Sequence, residues 1–266
     1  MKDFQFKKSL GQNFLNDKNV INKIVESADI DKETLVIEIG PGGGAITELM
    51  VPKAGQSILY EADSRLEEHL NKLLIGYDNY EIIIGDFLKA DLFGDLKSYS
   101  GMKIYVVANL PYYITTPIIM KFVEECLLPQ KFVIMVQKEV AHRLAAGVGS
   151  RDYGSLTVFL NYYYDIKKLF DVSRNCFIPK PNVDSAIVEM KLKDNRLEVS
   201  DMDVFKKLVR DSFAFKRKTL RNNLKGYNLE IIDKVLKKYG FDLSVRAESL
   251  GLEVFVGIAN ALVKGV

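Results

Sequence analysis

Short apolar runs alternate with amphipathic stretches along most of this chain, and each run stops at a small or polar residue. Val20, Ile21, Ile24, Val25 and Ala28 recur at helical spacing, which predicts a helix over 19–28. Leu35-Val-Ile-Glu-Ile39 reads as a buried strand that stops at Gly40. Gly40-Pro-Gly-Gly-Gly44 is a turn, and a helix starts over 45–50. The rhythm repeats, with strands predicted over 57–60, 81–84, 103–108 and 131–136 and helices over 64–74 and 118–128. Such alternation predicts a Rossmann-like α/β architecture, a mainly parallel sheet with helices on both faces. Residues 158–164 and 186–192 are two further strand candidates.

Beyond Leu192 the pattern turns helical, with candidates over 203–224, 229–239, 246–250 and 254–263. The polar stretch 193–200 marks a boundary. It divides the chain into an α/β domain over 1–195, led by a polar N-terminal arm, and a small all-α domain over 196–266.

Chemistry-bearing residues fall at the ends of the predicted strands. Gly40, Gly42 and Ala45 fit a G-x-G-x-x-[G/A] turn between a strand and a helix, where the backbone turns sharply and lies against a ligand. Glu61 ends the next strand, and a carboxylate there can accept from both hydroxyls of a ribose. Asp86 ends the third strand, where it can accept from an adenine amino group. This series places a nucleoside ligand without naming it, since NAD and S-adenosylmethionine share it.

The fourth strand runs into Asn109-Leu-Pro-Tyr112. The exocyclic amine of adenine is a poor nucleophile because its lone pair is delocalised into the ring. Two acceptors aimed at the amino hydrogens, the Asn109 side-chain carbonyl and the Leu110 main-chain carbonyl, can draw that pair out of conjugation. Pro111 fixes the turn and removes a donor, and Tyr112 offers a face on which the base stacks. Catalysis of this kind rests on orientation and electrostatic placement. The target base must be unpaired or flipped out of a duplex to be reached. Phe177 opens the loop Phe177-Ile-Pro-Lys-Pro-Asn-Val-Asp-Ser185 and is read in two ways, as the second face of a base sandwich or as a core residue.

Composition narrows the alternatives. The two cysteines, Cys126 and Cys176, form no Cys-x-x-Cys, and the only histidines are His69 and His142. No metal site is expected, and neither a disulfide framework nor a cysteine-bound iron–sulfur cluster fits. A reducing cytoplasm suits this usage. Met1-Lys-Asp-Phe-Gln-Phe-Lys-Lys8 lacks the apolar core of a signal peptide, and no apolar run reaches membrane-spanning length. Net charge is only +2 but is unevenly placed. Between Phe205 and Lys225 stand Lys206, Lys207, Arg210, Lys216, Arg217, Lys218, Arg221 and Lys225, against Asp211 alone. With Phe205, Leu208, Val209, Leu220 and Leu224 turned inward, the basic set faces outward and suits a polyanion. Lys206, Lys207, Arg210, Arg217, Lys218 and Arg221 are the expected RNA contacts, and the basic residues Lys7 and Lys8 of the arm are a second candidate.

Taken together, the motifs resemble the bacterial small-subunit rRNA adenine N6,N6-dimethyltransferase family. The resemblance covers nearly the whole chain. It rests on Ser9-Leu-Gly-Gln-Asn-Phe-Leu15, Glu38-Ile-Gly-Pro-Gly-Gly-Gly-Ala-Ile-Thr47, Asn109-Leu-Pro-Tyr112, Phe177-Ile-Pro-Lys-Pro-Asn-Val-Asp-Ser185 and Lys216-Arg-Lys-Thr-Leu-Arg-Asn-Asn-Leu224. It implies a class I methyltransferase that uses S-adenosyl-L-methionine to dimethylate two adjacent adenines in the 3′-terminal hairpin loop of small-subunit (16S) rRNA, late in subunit assembly. It also implies that Asn13 and Leu15 line the cofactor pocket with Gly40, Glu61, Asp86 and Asn109. Domain 1–195 would then bind the cofactor and catalyse, and domain 196–266 would dock RNA. A monomer acting on the small ribosomal subunit is expected. Gly43, Ile46 and Tyr113 depart from the family's commoner residues, and Tyr113 could reshape the base pocket. The related large-subunit rRNA methyltransferases are the nearest rival. A non-catalytic RNA-binding factor on the same fold and an NAD-dependent dehydrogenase stand further off.

Overall fold

The structure is a computed structural model and describes residues 12–265. The arm with Lys7 and Lys8, and the first three residues of the motif beginning at Ser9, lie outside the described residues. In chain order the first elements are β1 Phe14–Leu15, α1 Lys18–Ala28, β2 Thr34–Ile39, α2 Thr47–Met50, β3 Gln56–Glu61, α3 Glu67–Leu73, β4 Tyr80–Ile84, α4 Leu92–Leu96, β5 Lys103–Asn109, α5 Thr115–Glu124 and β6 Lys131–Gln137. Then come α6 Lys138–Leu144, α7 Ser155–Tyr163, β7 Tyr164–Val172, β8 Phe177–Ile178, β9 Ser185–Leu192, α8 Met202–Ser212, α9 Leu220–Asn223, α10 Leu229–Lys238 and α11 Leu252–Lys264.

Two compact units result. One takes the chain as far as Ala141 and then Lys167–Leu192; the other takes His142–Ile166 and the chain from Lys193 onward. The second unit thus includes a segment that a single division after residue 195 leaves with the first.

The seven-stranded sheet has the order β4-β3-β2-β5-β6-β9-β7. Strands β4, β3, β2, β5 and β6 run parallel, and β9 pairs antiparallel with β6 from Lys131↔Lys191 to Gln137↔Ser185. Every residue of β2 is buried, which explains why it reads as a continuous apolar run rather than an alternating one. The chain steps outward from β2 to β3 and β4 and then returns to β5 on the other side of β2. Strand order therefore reverses between β2 and β5, and a crevice opens beyond their carboxyl ends. Gly40 and Asn109 sit at those two ends. Helix α1 packs as its spacing predicts, with Ile21, Ile24, Val25 and Ala28 buried. The Asp17 side chain caps it by accepting from the amides of Asn19 and Val20.

Two expectations are corrected. Residues 158–164 are not a strand, because α7 runs to Tyr163 and the strand begins only at Tyr164. The β-branched and aromatic content of this run favours a strand by propensity, but packing on α8 and α11 within the second unit makes it helical. The helix expected over 203–224 is interrupted. Helix α8 ends at Ser212, where the side-chain amide of Asn223 donates to the Ser212 carbonyl at 2.6 Å, and α9 resumes at Leu220. Residues 213–219 between them form a turn that carries Lys216, Arg217 and Lys218.

Candidate active site

A cleft of about 1060 Å³ lies in the first unit over the β2–β5 reversal. It is bordered by Asn13 and Leu15 from β1 and its approach, Gly40 from the glycine turn, Glu61 from β3, Asp86 after β4, and Asn109 to Tyr112 after β5. The structure thus brings together all the residues expected to bind the cofactor.

The glycine turn bends because Gly40 and Gly42 hold φ values of 71° and 56°, a region that side-chain-bearing residues seldom occupy. At Gly42 a Cβ would also lie 2.9 Å from the Phe14 ring, so β1 can rest directly on the turn. Glu61 is buried and fastens this turn to β3. It accepts from the Gly42 amide at 3.0 Å with one oxygen and from the Asp63 amide at 2.8 Å with the other. Both oxygens of this carboxylate are thus engaged by main-chain amides at the edge of the cleft. Burial raises the Glu61 pKa above the usual carboxylate value, while these amide hydrogen bonds oppose the shift. Asp86 is exposed at the cleft edge, and one of its oxygens caps the short turn after β4 by accepting from Leu88 N at 3.0 Å.

The N-terminal motif is pinned from two sides. Gln12 donates to the buried Asp63 carboxylate at 3.0 Å. β1 pairs antiparallel with β8, with Phe14 opposite Ile178 and Leu15 opposite Phe177. Asn109 donates its side-chain N–H to the Asn13 carbonyl at 3.1 Å. The Asn109 side-chain carbonyl is thereby left without a hydrogen-bond partner among the described residues. The Leu110 carbonyl likewise accepts no hydrogen bond there, although its amide donates to Met135 O at 3.1 Å. The Pro111 carbonyl is held by the Ile114 amide and the Thr115 hydroxyl, which stiffens the turn. The Tyr112 hydroxyl lies 2.6 Å from Ser185 Oγ, so its ring is fixed from the far end. Burial raises the Tyr112 pKa, and the phenol stays neutral. Two open acceptors and one anchored aromatic ring thus share the cleft with a glycine turn and two carboxylates.

Phe177 does not reach this cleft. It is 3% exposed and belongs to the core cluster with Leu15, Ile21, Ile24 and Ile187. Strand period explains it, because neighbouring residues of β8 point to opposite sides. Phe177 faces the core, and Ile178, 53% exposed, lines the cleft instead. Tyr113, 60% exposed, lines the same cleft.

Glu38, which opens the glycine motif, has a place in the cleft that the sequence pattern does not assign. It is buried at the end of β2 and borders the cavity. Thr47 donates to one of its oxygens at 2.6 Å, and the other has no partner among the described residues. Burial, with a further contribution from the charge of Glu61, pushes its pKa up to about 8. The signal was present in the sequence as one carboxylate inside an otherwise apolar strand.

In the second unit Phe205, Leu208, Val209, Leu220 and Leu224 are buried as expected. The basic residues between them differ in availability. Lys207 pairs with Asp211 at 2.5 Å and donates to the Tyr227 hydroxyl at 3.1 Å. Arg210 lies 3.7 Å from the same aspartate. Lys206 is half-buried over the Phe159 ring. Arg217, Lys218 and Arg221 are exposed.

A parallel sheet with a glycine turn, an acid after its second strand and an Asn-Leu-Pro-Tyr turn on one cleft defines a methyltransferase of the Rossmann-like class. The chain belongs to the ribosomal RNA adenine dimethylase family, whose model matches residues 3–264. It is 46% identical, over 98% of its length and 92% of the relative's, to the ribosomal RNA small subunit methyltransferase A of Bacillus mycoides (strain KBAB4). Among solved structures it resembles a dimethyladenosine transferase from Plasmodium falciparum, with a TM-score of 0.78 and 29% identity over 92% of this chain and 95% of that one. It also resembles the 23S rRNA methyltransferase ErmE, with a TM-score of 0.74 and 26% identity over 94% of this chain and 99% of that one.

Proposed function

We propose that this protein uses S-adenosyl-L-methionine to dimethylate the N6 amines of two adjacent adenines in the 3′-terminal hairpin loop of small-subunit rRNA. The observation that carries the reading is the pair of open acceptors, the Asn109 side-chain carbonyl and the Leu110 main-chain carbonyl, beside the anchored Tyr112 ring. They suit the two hydrogens of an aromatic amine. Accepting from both draws the nitrogen lone pair out of the ring and towards the methyl donor. Each transfer releases one amine proton to solvent, so once one methyl is in place a single N–H remains and the second transfer engages one acceptor.

The residues present fit the cofactor. Glu61 lies on the cleft for a ribose, and Asp86 lies at its edge for an adenine amino group. Asn13, Leu15, Gly40 and Asn109 complete the pocket. When bound, S-adenosylmethionine supplies an electrophilic methyl group on a sulfonium. The protein contributes orientation and fixed dipoles, and no strongly basic side chain is needed.

The identity to a small subunit methyltransferase favours the small subunit as substrate. The first unit is then the catalytic part and the second docks RNA through Arg217, Lys218 and Arg221. The enzyme works in the cytoplasm as a monomer. Among the described residues no helix is long and apolar enough to cross a membrane. The likeness to ErmE sustains one rival substrate, large-subunit rRNA. Incubation with labelled cofactor and unmethylated small or large subunits, followed by mapping of the modified base, decides between them. Label on two adjacent adenines near the 3′ end of small-subunit rRNA is expected. Label confined to the large subunit, or none, overturns the reading.

A further inference from the structure

The turn between α8 and α9 holds two phenylalanines with opposite fates. Phe213 points inward, with its ring centroid 6.1 Å from that of Tyr153 and 5.8 Å from that of Phe255. Phe215, two residues on, is 67% exposed and is followed directly by the exposed Lys216, Arg217 and Lys218. This exposure is built in. The Phe215 carbonyl accepts from the Lys218 amide at 2.9 Å and from the Asn223 side chain at 3.3 Å. The same Asn223 amide holds Ser212 O, and Lys216 Nζ reaches Arg151 O at 3.5 Å. The backbone under Phe215 is therefore tied on both sides while its ring is presented to solvent. Cationic side chains around such a ring disfavour an apolar protein partner and favour a polyanion that carries flat apolar faces.

From this juxtaposition we propose that Phe215 stacks on an unpaired base of rRNA while Lys216, Arg217 and Lys218 hold the flanking phosphates. The inference rests on the rRNA reading above. Stacking on an aromatic side chain tolerates any base, so Phe215 adds affinity and lodges a looped-out nucleotide without reading its sequence. A neutral ring releases no counterions, so its contribution is independent of salt, unlike that of its neighbours.

The protein contains no tryptophan, so Phe215→Trp in the full chain introduces a sole reporter of stacking. With small-subunit rRNA freed of ribosomal proteins, its fluorescence is expected to be quenched on binding at near wild-type affinity. Phe215→Ala and Phe215→Leu should each weaken binding roughly five- to a hundredfold, with an unchanged salt slope. The melting temperature and cofactor affinity should stay nearly unchanged, because Phe215 is largely exposed and lies outside the residues that line the cleft. Wild-type affinity in Phe215→Leu, or unquenched tryptophan in a tight complex, would overturn stacking. A loss seen with intact subunits but not with bare rRNA would do so too, by assigning Phe215 to a ribosomal protein. Absence of rRNA binding by the wild-type protein would instead sink the rRNA reading, and this inference with it.

Discussion

Asn109 gives its side-chain N–H to the main-chain oxygen of Asn13, 3.1 Å away. The two residues are far apart in sequence, and the bond holds the nitrogen end of the amide against the N-terminal motif. With the donor engaged, the carbonyl oxygen is the end left for the cleft. The N-terminal motif thus orients the Asn109 amide as well as lining the cleft.

Asn109→Ala removes this acceptor. Methyl transfer in a single turnover is expected to fall by about two to three orders of magnitude, the usual cost of losing one preorganised hydrogen-bonding group. Binding of rRNA should be preserved. A mutant that transfers methyl groups at close to the normal rate would remove Asn109 from the chemistry.

Glu38 makes stability depend on pH. Its folded pKa is pushed up to about 8 from the ordinary 4.5, so between those values the folded protein holds a proton that the unfolded chain has released. Stability contributed by this group is full below pH 4.5, declines as pH rises towards 8, and levels off above. The slope is at most about 1.4 kcal/mol per pH unit. Glu38→Gln still offers Thr47 an acceptor but cannot titrate. Its melting temperature should therefore fall less between about pH 5 and pH 8 than that of the wild type, read without cofactor. Parallel pH profiles would show that Glu38 is ionised in the fold.

Phe177 in the core carries its own test. Phe177→Ala should cost roughly 3–5 kcal/mol of stability, as truncation of a buried aromatic does. Phe177→Leu should retain the fold and most of the transfer rate, whereas Ile178→Ala should leave stability almost untouched and raise the KM for RNA. A well-folded Phe177→Leu with transfer reduced about a hundredfold would return Phe177 to the base pocket.

The alternation of strands and helices, the glycine turn and the acids at strand ends were legible because each depends on local pattern. A buried parallel strand must be apolar and must end at a turn, whereas the β2–β5 crevice depends on a reversal of strand order that no local pattern carries. What was not legible depends on which partner a residue finds. The aromatic run ending at Tyr163 is helical only because α8 and α11 cover it. Phe177 faces the core because β8 pairs with β1 in a register that the motif does not announce. Asn13 and Leu15 came from resemblance, and only the pairing of β1 explains their place. Glu38 was visible as a carboxylate in an apolar strand, but its raised pKa follows from complete burial beside Glu61, which the strand pattern alone does not show.

The basic segment separates RNA docking from an ordinary solvated surface. The structure divides it in two. Lys207 and Arg210 share Asp211, and Lys206 lies over the Phe159 ring, so part of their charge is already engaged within the unit. Arg217, Lys218 and Arg221 are exposed and open to phosphates. A cation that binds a phosphate releases counterions, so affinity falls as salt rises, and removing such a cation flattens that slope. The triple variant Arg217→Glu, Lys218→Glu, Arg221→Glu is expected to bind the small subunit more weakly and with a shallower salt dependence. Lys206→Ala should change the slope less than a single Arg217→Ala does, because its ammonium sits against an aromatic ring. Cofactor affinity should hold in every variant, since the cleft belongs to the other unit, and melting temperatures should move little for exposed side chains. The measurement is a titration of subunits at several salt concentrations, beside a calorimetric cofactor titration and a melting curve for each variant. Equal slopes for wild type and triple variant would make this segment an ordinary solvated surface and leave Lys7 and Lys8 as the remaining candidates for docking RNA.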